Sequence, residues 1–390
     1  VPKQLLFIPG PVTVAEPVLA ATAQPLIDHR GPEFKALLAH IAARMKPLFG
    51  TTRAEVLVLG SSGTGGLEAA IANLFGDGDR LLACPIGVFG DRLIAIARNL
   101  GCRVDVLETA WGNALDPAAL RARLDAATGD DRYTGVLLTH NETSTGSQND
   151  MAAIAAAFRG HDAYTIVDSV SGLGATEFLM DDWGFDVVVT ASQKVIAAPP
   201  GLAMIAVAPR VWERIDANEG PRYYFDLKKA REFAALGQTP WTPPVSIAFG
   251  VDAALEAYER DGAPNVWARH ERYARAIRAC VEALGLAVYS APGAHSATVV
   301  AIRLPENIDG DTIRRTLREA RGVIIGGGQG RLKGTIIRIG TMGDLTQTDV
   351  LGALGALEIA LLEAGASIGV GTGVQAALKV FLAAEEPAAV

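Results

Sequence analysis

Four short apolar runs constrain this chain more than any other feature. They are Val56-Leu57-Val58-Leu59, Gly135-Val136-Leu137-Leu138-Thr139, Tyr164-Thr165-Ile166-Val167 and Phe185-Asp186-Val187-Val188-Val189-Thr190. A strand solvated on one face alternates apolar and polar residues. These mostly β-branched runs do not, so they fit strands buried on both faces of a parallel sheet. Each run passes into small and polar residues: Gly60-Ser61-Ser62-Gly63-Thr64, His140-Asn141-Glu142-Thr143, Asp168-Ser169-Val170 and Ala191-Ser192-Gln193-Lys194. The Ala-rich stretch Met151 to Phe158 reads as a helix between the second and third runs. Such a crossover puts the carboxyl ends of its strands on one edge, which is where open α/β sheets bind ligands. Thr143, Asp168 and Lys194 are expected to meet there.

The residue types gathered at that edge suggest a chemistry. A lysine carried to the end of a buried strand becomes a nucleophile toward carbonyls once desolvation lowers its pKa. The ordinary alternative is a lysine capping a strand-to-helix turn. Asp168 is the sharper signal, because a carboxylate after an Ile-Val run is costly to bury without a partner. The turn Ser62-Gly63-Thr64-Gly65-Gly66 lies between a strand and the helical Leu67 to Leu74, the order that presents backbone N–H groups to a phosphate. Glycine turns of this kind also serve tight packing alone. Pyridoxal phosphate needs all three parts: a lysine for the Schiff base, an acid facing the pyridine nitrogen, and a phosphate cup.

In order along the chain, the motifs are Pro9-Gly10-Pro11-Val12, Asp28-His29-Arg30-Gly31-Pro32-Glu33-Phe34, Ser62-Gly63-Thr64, Glu142-Thr143-Ser144-Thr145-Gly146, Asp168-Ser169-Val170, Ser192-Gln193-Lys194 with Pro199-Pro200-Gly201, and Lys333-Gly334 with Arg338-Ile339-Gly340. With these the chain resembles the class V aminotransferases, within them the alanine–glyoxylate and serine–glyoxylate group. The resemblance implies an α/β, fold type I pyridoxal-phosphate architecture: a large domain with a mostly parallel, seven-stranded sheet flanked by helices, and a smaller C-terminal α+β domain. It implies Lys194 as the Schiff-base and proton-shuttling lysine and Asp168 as partner of the pyridine nitrogen. Ser62, Gly63, Thr64 and Gln193 match phosphate ligands. Phe89 stands where the family often has a tryptophan stacked on the ring, so it keeps a stack of smaller area. Thr143 matches a hydroxyl beside the cofactor O3′, and Thr242 a threonine reaching the phosphate of a neighbouring subunit, which implies a homodimer with shared active sites. Arg338 matches the arginine that grips the substrate carboxylate. Independently, Thr335 to Ile339 alternates as a strand, and a guanidinium suits a bidentate clamp. A surface ion pair is its bland alternative.

At 390 residues the chain exceeds one ordinary core. Its texture divides into an N-terminal arm (1–17), a large cofactor-binding domain (18–261) and a small C-terminal domain (262–390). The segment Ser246 to Arg260 reads as a long helix leaving the large domain, and the end of the chain as helices over Leu345–Leu362 and Gly373–Ala384. A net charge of −8 argues against general affinity for nucleic acid or anionic membranes. The aromatic and basic stretch around Arg222-Tyr223-Tyr224 therefore reads as a loop at an oligomer interface. No apolar run reaches spanning length. Cys84, Cys102 and Cys280 form no metal spacing and suggest a reducing, cytoplasmic setting. The histidines form no HExxH-type pair, which leaves no case for a metal. His29 and His140 draw notice by position only. The sequence starts at Val1 without Met, which leaves processing and an engineered boundary both open. Gly326-Gly327-Gly328-Gln329-Gly330 lacks a following helix at dinucleotide spacing and reads as a loop into the Arg338 strand.

The expected activity is transfer of the amino group of a small L-amino acid, alanine or serine, to glyoxylate or a similar 2-oxo acid. A class V aminotransferase for another amine (ureidoglycine, pyridoxamine or an aminophosphonate) is the alternative. A cysteine desulfurase-like lyase would need a cysteine on a glycine-flanked loop, and Cys280 falls inside a predicted helix. A binding protein that kept the fold would have no use for Lys194, Asp168 and Arg338 together.

Overall fold

The computed structural model describes residues 4–383, so Val1 and Ala384, the expected end of the last helix, lie outside the described residues. Three of the four apolar runs form the centre of a seven-stranded sheet, and the first, Val56–Leu59, forms one edge. Its strands are β2 (Glu55–Gly60), β3 (Arg80–Cys84), β4 (Arg103–Val106), β5 (Gly135–Thr139), β8 (Tyr164–Asp168), β9 (Val187–Ala191) and β10 (Leu202–Val207), in the order β2-β10-β9-β8-β5-β3-β4. Only β10 runs against its neighbours; the other pairings are parallel. Burial on both faces explains the missing alternation. Val188, Val167 and Met204 face one apolar cluster with the helix α2 (Pro32–Phe49), while Val187, Val189 and Ile166 face another with α3 (Gly63–Leu74) and α4 (Val88–Asn99). A two-stranded turn, β6 (Asn141–Glu142) with β7 (Ser147–Gln148), follows β5 directly.

The helix Val245–Asp261, expected from the sequence over Ser246 to Arg260, packs on α1 (Glu16–Thr22) and α2 and buries Val245, Val251 and Leu255 in the first cluster. Beyond it a second sheet has the order β1 (Leu5–Phe7), β13 (Val323–Gly327), β14 (Ile336–Gly340), β12 (Val299–Arg303), β11 (Ala287–Val288). One face carries Phe7, Ile325, Ile337 and Ile339 against the helices Ala263–Ala283 and Gln347–Glu363. The opposite face holds Ile336 and Ala301 in a small cluster with Trp111 of the first unit. Within the expected N-terminal arm, Leu5–Phe7 is a strand of this smaller sheet. Leu5–Phe7 pairs in parallel with Val323–Ile325, so the smaller sheet draws on both ends of the chain. Three residues are too few to show a period, which is why the sequence showed only Pro-Gly punctuation there.

Candidate active site

The carboxyl ends of the parallel strands open into a cavity of about 290 Å³. Ser62, Gly63, Thr64, Phe89, Thr143, Asp168, Gln193 and Lys194, expected from the sequence, all line it. Two other expected residues stand outside its wall. Arg338 comes from β14, and its guanidinium reaches back to the wall: Nη1 donates to the Thr143 carbonyl (2.7 Å) and Nε to the Gly327 carbonyl (2.8 Å). Thr242 is exposed in a neighbouring shallow groove with Ser61, Ser62 and Tyr224.

At one end of the cavity α3 begins. Ser62 is its N-cap, accepting from the Gly65 N–H at 3.4 Å. A Cβ on Gly63 would come within 2.9 Å of Val170, so only glycine lets the first turn sit this close to the strand ends. Free N–H groups and the positive end of the helix dipole thus face the cavity, as an anion requires. The Gln193 Oε1 is buried without a hydrogen-bond partner, so an anion here would be met by the amide turned to present its NH₂.

At the strand ends sit the two titratable groups. Asp168 is buried, and its Oδ1 accepts only the Val170 N–H (3.0 Å). Burial pushes its carboxyl up to about 7; Glu142 adds to the shift, and Val170, Lys194 and Arg92 oppose it. Lys194 Nζ donates to the Pro9 carbonyl, where the N-terminal segment crosses the site. Burial pulls its amine down to about 8, with Asp168 opposing and Arg338 and Arg92 assisting. The site therefore holds a near-neutral acid beside an amine that can shed its proton near physiological pH. Arg338 is buried as well, yet burial lowers it only to about 10 and it remains a cation.

Sequence reasoning missed Arg92. It lines the cavity one helical turn after Phe89, donates from Nη1 to Thr64 Oγ1 (3.0 Å) and lies 4.7 Å over the Phe89 ring. Its i+3 spacing from Phe89 on a helix was the available signal. Asn141 and Ser171, bonded to each other, also line the cavity. His140 is buried outside its wall, with Nδ1 2.8 Å from Ser169 Oγ, and burial lowers it to about 4.

The comparisons with known proteins agree with this geometry. The family described as aminotransferase class-V matches residues 19–346. A Synechococcus protein named soluble hydrogenase, small subunit, is 39% identical across 97% of this chain and 98% of its own. The L-aspartate–glyoxylate aminotransferase of Paracoccus denitrificans is 38% identical across 95% of this chain and 94% of its own. The structure of ureidoglycine–glyoxylate aminotransferase from Bacillus subtilis superposes with a TM-score of 0.92 at 30% identity, covering 98% of both chains. With its fold type I architecture and a cavity suited to pyridoxal phosphate, the chain belongs to the class V aminotransferase family.

Proposed function

We propose that this enzyme moves the amino group of a small L-amino acid, alanine or serine, to glyoxylate or a similar small 2-oxo acid. The observation that carries the reading is the pairing of a depressed lysine with a buried aspartate in a cavity of about 290 Å³, with one arginine fork presented from the second sheet. The aspartate and ureidoglycine enzymes among its relatives differ in amine and share glyoxylate in their names.

Ser62, Gly63, Thr64 and Gln193 would hold the phosphate, Phe89 the ring face, Thr143 the O3′ side and Asp168 the ring nitrogen. When bound, pyridoxal phosphate supplies the sink for the electron pair released at the substrate Cα. Lys194 would carry the proton between the substrate Cα and the cofactor C4′, a task suited to an amine poised near neutrality. Arg338 has two N–H groups committed to carbonyls, which fixes the remaining fork to take the substrate carboxylate end-on. Two half-reactions run in sequence at one site require both substrates to use the same fork in turn.

A homodimer belongs to this proposal. Tyr223 and Tyr224 are exposed, stack on Trp241 at 5.0 and 5.9 Å, and lie beside Thr242 at the rim of the phosphate cup. Arg222 is spent on the Gly220 and Asn218 carbonyls, so this stretch offers protein contact rather than a nucleic-acid track. Among the described residues no helix is long and apolar enough to cross a membrane. A cytoplasmic setting is inferred from three buried, unpaired cysteines. Burial raises all three thiols to about 11 or 12, so none is the activated nucleophile a desulfurase needs. Ureidoglycine is a second reading, supported by the Bacillus subtilis structure.

The deciding experiment adds alanine, serine, aspartate, ureidoglycine or an aminophosphonate singly to the holoenzyme and follows the cofactor absorbance, then adds glyoxylate. A spectral change with alanine or serine that glyoxylate reverses is expected. A change only with another amine moves the assignment to that amine, and no change with any of them removes the aminotransfer reading for these substrates.

A further inference from the structure

The first turn of α4 has no cap of its own. Its N-cap is Gly87, yet its amides are satisfied from a segment some fifty residues on. Ser144 Oγ accepts the Val88 N–H (3.0 Å), and Glu142 Oε2 accepts those of Phe89 (3.0 Å) and Gly90 (3.2 Å). The other carboxylate oxygen, Oε1, accepts the Ser144 N–H (3.0 Å) and Oγ–H (2.6 Å). A Cβ on Gly87 would lie 2.4 Å from Glu142 Cγ and 2.5 Å from Ser144 Oγ, so lack of space makes that position glycine.

Glu142 is fully buried and faces donors at both oxygens. A carboxylate, which only accepts, suits that setting; a carboxylic acid would bring a proton with no acceptor. Burial raises this carboxyl above its ordinary range, and the Ser144, Gly90 and Phe89 donors pull against that rise.

Each of the two turns that Glu142 joins carries groups of the site. From α4 come the Phe89 ring and Arg92, which holds Thr64 Oγ1. Because a guanidinium can only donate, Thr64 Oγ1 must accept from it, leaving the Thr64 hydroxyl proton for an anion. From the β6–β7 turn come the Thr143 side chain and the Thr143 carbonyl that orients Arg338. We propose that Glu142 is a positioning residue whose buried carboxylate clamps the first turn of α4 to the β6–β7 turn, setting the ring platform, the phosphate end and the substrate fork relative to one another. It need touch neither cofactor nor substrate to do so. The inference rests on the roles proposed above for Phe89, Thr64 and Arg338.

Glu142→Gln tests it. Whichever way the amide turns, its NH₂ faces either two α4 amides or the two Ser144 donors. Binding of pyridoxal phosphate to the apoprotein, followed by absorbance, should weaken about tenfold or more, and KM for both amino and oxo acids should rise together. A Glu142→Gln protein with a lowered unfolding midpoint but parental cofactor affinity and KM would make the residue merely structural and overturn the proposal. If that variant does not fold, Ser144→Ala decides. It keeps the carboxylate, frees the Val88 amide, and should weaken both readouts a few-fold in the same direction. Unchanged values for both overturn it equally. Wild-type apoprotein that takes up no pyridoxal phosphate would break the underlying reading of the site, whereas normal wild-type uptake with unaffected variants breaks only this inference.

Discussion

Two aspartates sit at opposite edges of the large sheet, and their surroundings differ. Asp186, just before β9 at the amino edge, is buried and fully partnered. The Arg210 fork meets both of its oxygens (2.5 and 2.6 Å), and Thr165 donates from N–H and hydroxyl. Asp168, at the carboxyl edge, is buried and keeps one backbone donor. Burial pushes both carboxyls up, but at Asp186 the guanidinium opposes it at close range. The amino edge therefore uses its acid to close the fold, and the carboxyl edge keeps an acid underpaired. An underpaired buried acid costs stability, and such a cost is expected where a ligand supplies the missing partner.

The largest effect expected from this contrast is at Lys194, the carboxyl edge's other underpaired group. Lys194→Ala should abolish essentially all amino transfer in a coupled assay; retained turnover would erase the distinction between the edges. In the wild-type apoprotein, capture of pyridoxal phosphate should speed up as pH rises through about 8, because the free amine is the reactive form and burial brings its midpoint there. A midpoint near the ordinary 10.5 would mean that the amine is solvated.

Asp168→Asn and Asp186→Asn should separate chemistry from folding. Asp168→Asn should slow turnover roughly 100-fold or more by removing the charge facing the cofactor, with little loss of apoprotein stability. The sign of the pH dependence follows from the raised carboxyl. The folded chain holds this proton up to about 7 while the unfolded chain releases it near 3.8. The apoprotein should therefore lose stability between those values as pH rises, and Asp168→Asn should flatten that slope. Asp186→Asn should instead cost about 1.5–3 kcal/mol of stability, trimmed because Arg210 is half-exposed, with cofactor affinity intact. Equal effects of the two variants on folding and turnover would break the comparison.

Arg338→Lys should act more weakly and on binding. The fork is held by two carbonyls, and a lysine cannot reproduce that arrangement. Losing a charge-assisted bond of about 1.5–3 kcal/mol corresponds to a rise in KM on the order of 10–100-fold, with a smaller change in kcat. A variant in which kcat alone falls would place Arg338 with Lys194 and Asp168 rather than in a separate clamp.

The carboxyl edge was legible in the sequence because each run β5, β8 and β9 ends in its own site residue, and parallel strands leave no choice about which edge receives them. Lys194, Asp168 and Thr143 follow from that rule alone. The role of Arg338 depended on the family resemblance, since its strand belongs to another sheet and no local pattern says which carbonyls it meets. The Arg92 bond to Thr64 and the capping role of Glu142 were not legible, since each joins partners distant in the chain, although the i+3 spacing of Arg92 from Phe89 was there to read. The join of Leu5–Phe7 to Val323–Ile325 was hidden for the same reason, a pairing across more than three hundred residues without a periodic signal.

The smallest expected effect tests whether the carboxyl edge is complete within one chain. Thr242 is exposed and does not line the cofactor cavity of its own chain, although Ser62 belongs to both the cavity and the Thr242 groove. If a second copy brings its Thr242 to the phosphate, Thr242→Ala removes one hydroxyl bond of about 0.5–1.5 kcal/mol, a loss of roughly two- to tenfold in cofactor affinity. The wild type should then show the same loss on dilution below its dimer dissociation constant, because the hydroxyl departs with the partner. Cofactor retention that ignores both the substitution and dilution would mean that each chain closes its own phosphate cup. The exposed Tyr223 and Tyr224 would then need an explanation other than a shared site, and the underpaired edge would owe its completion to the cofactor alone.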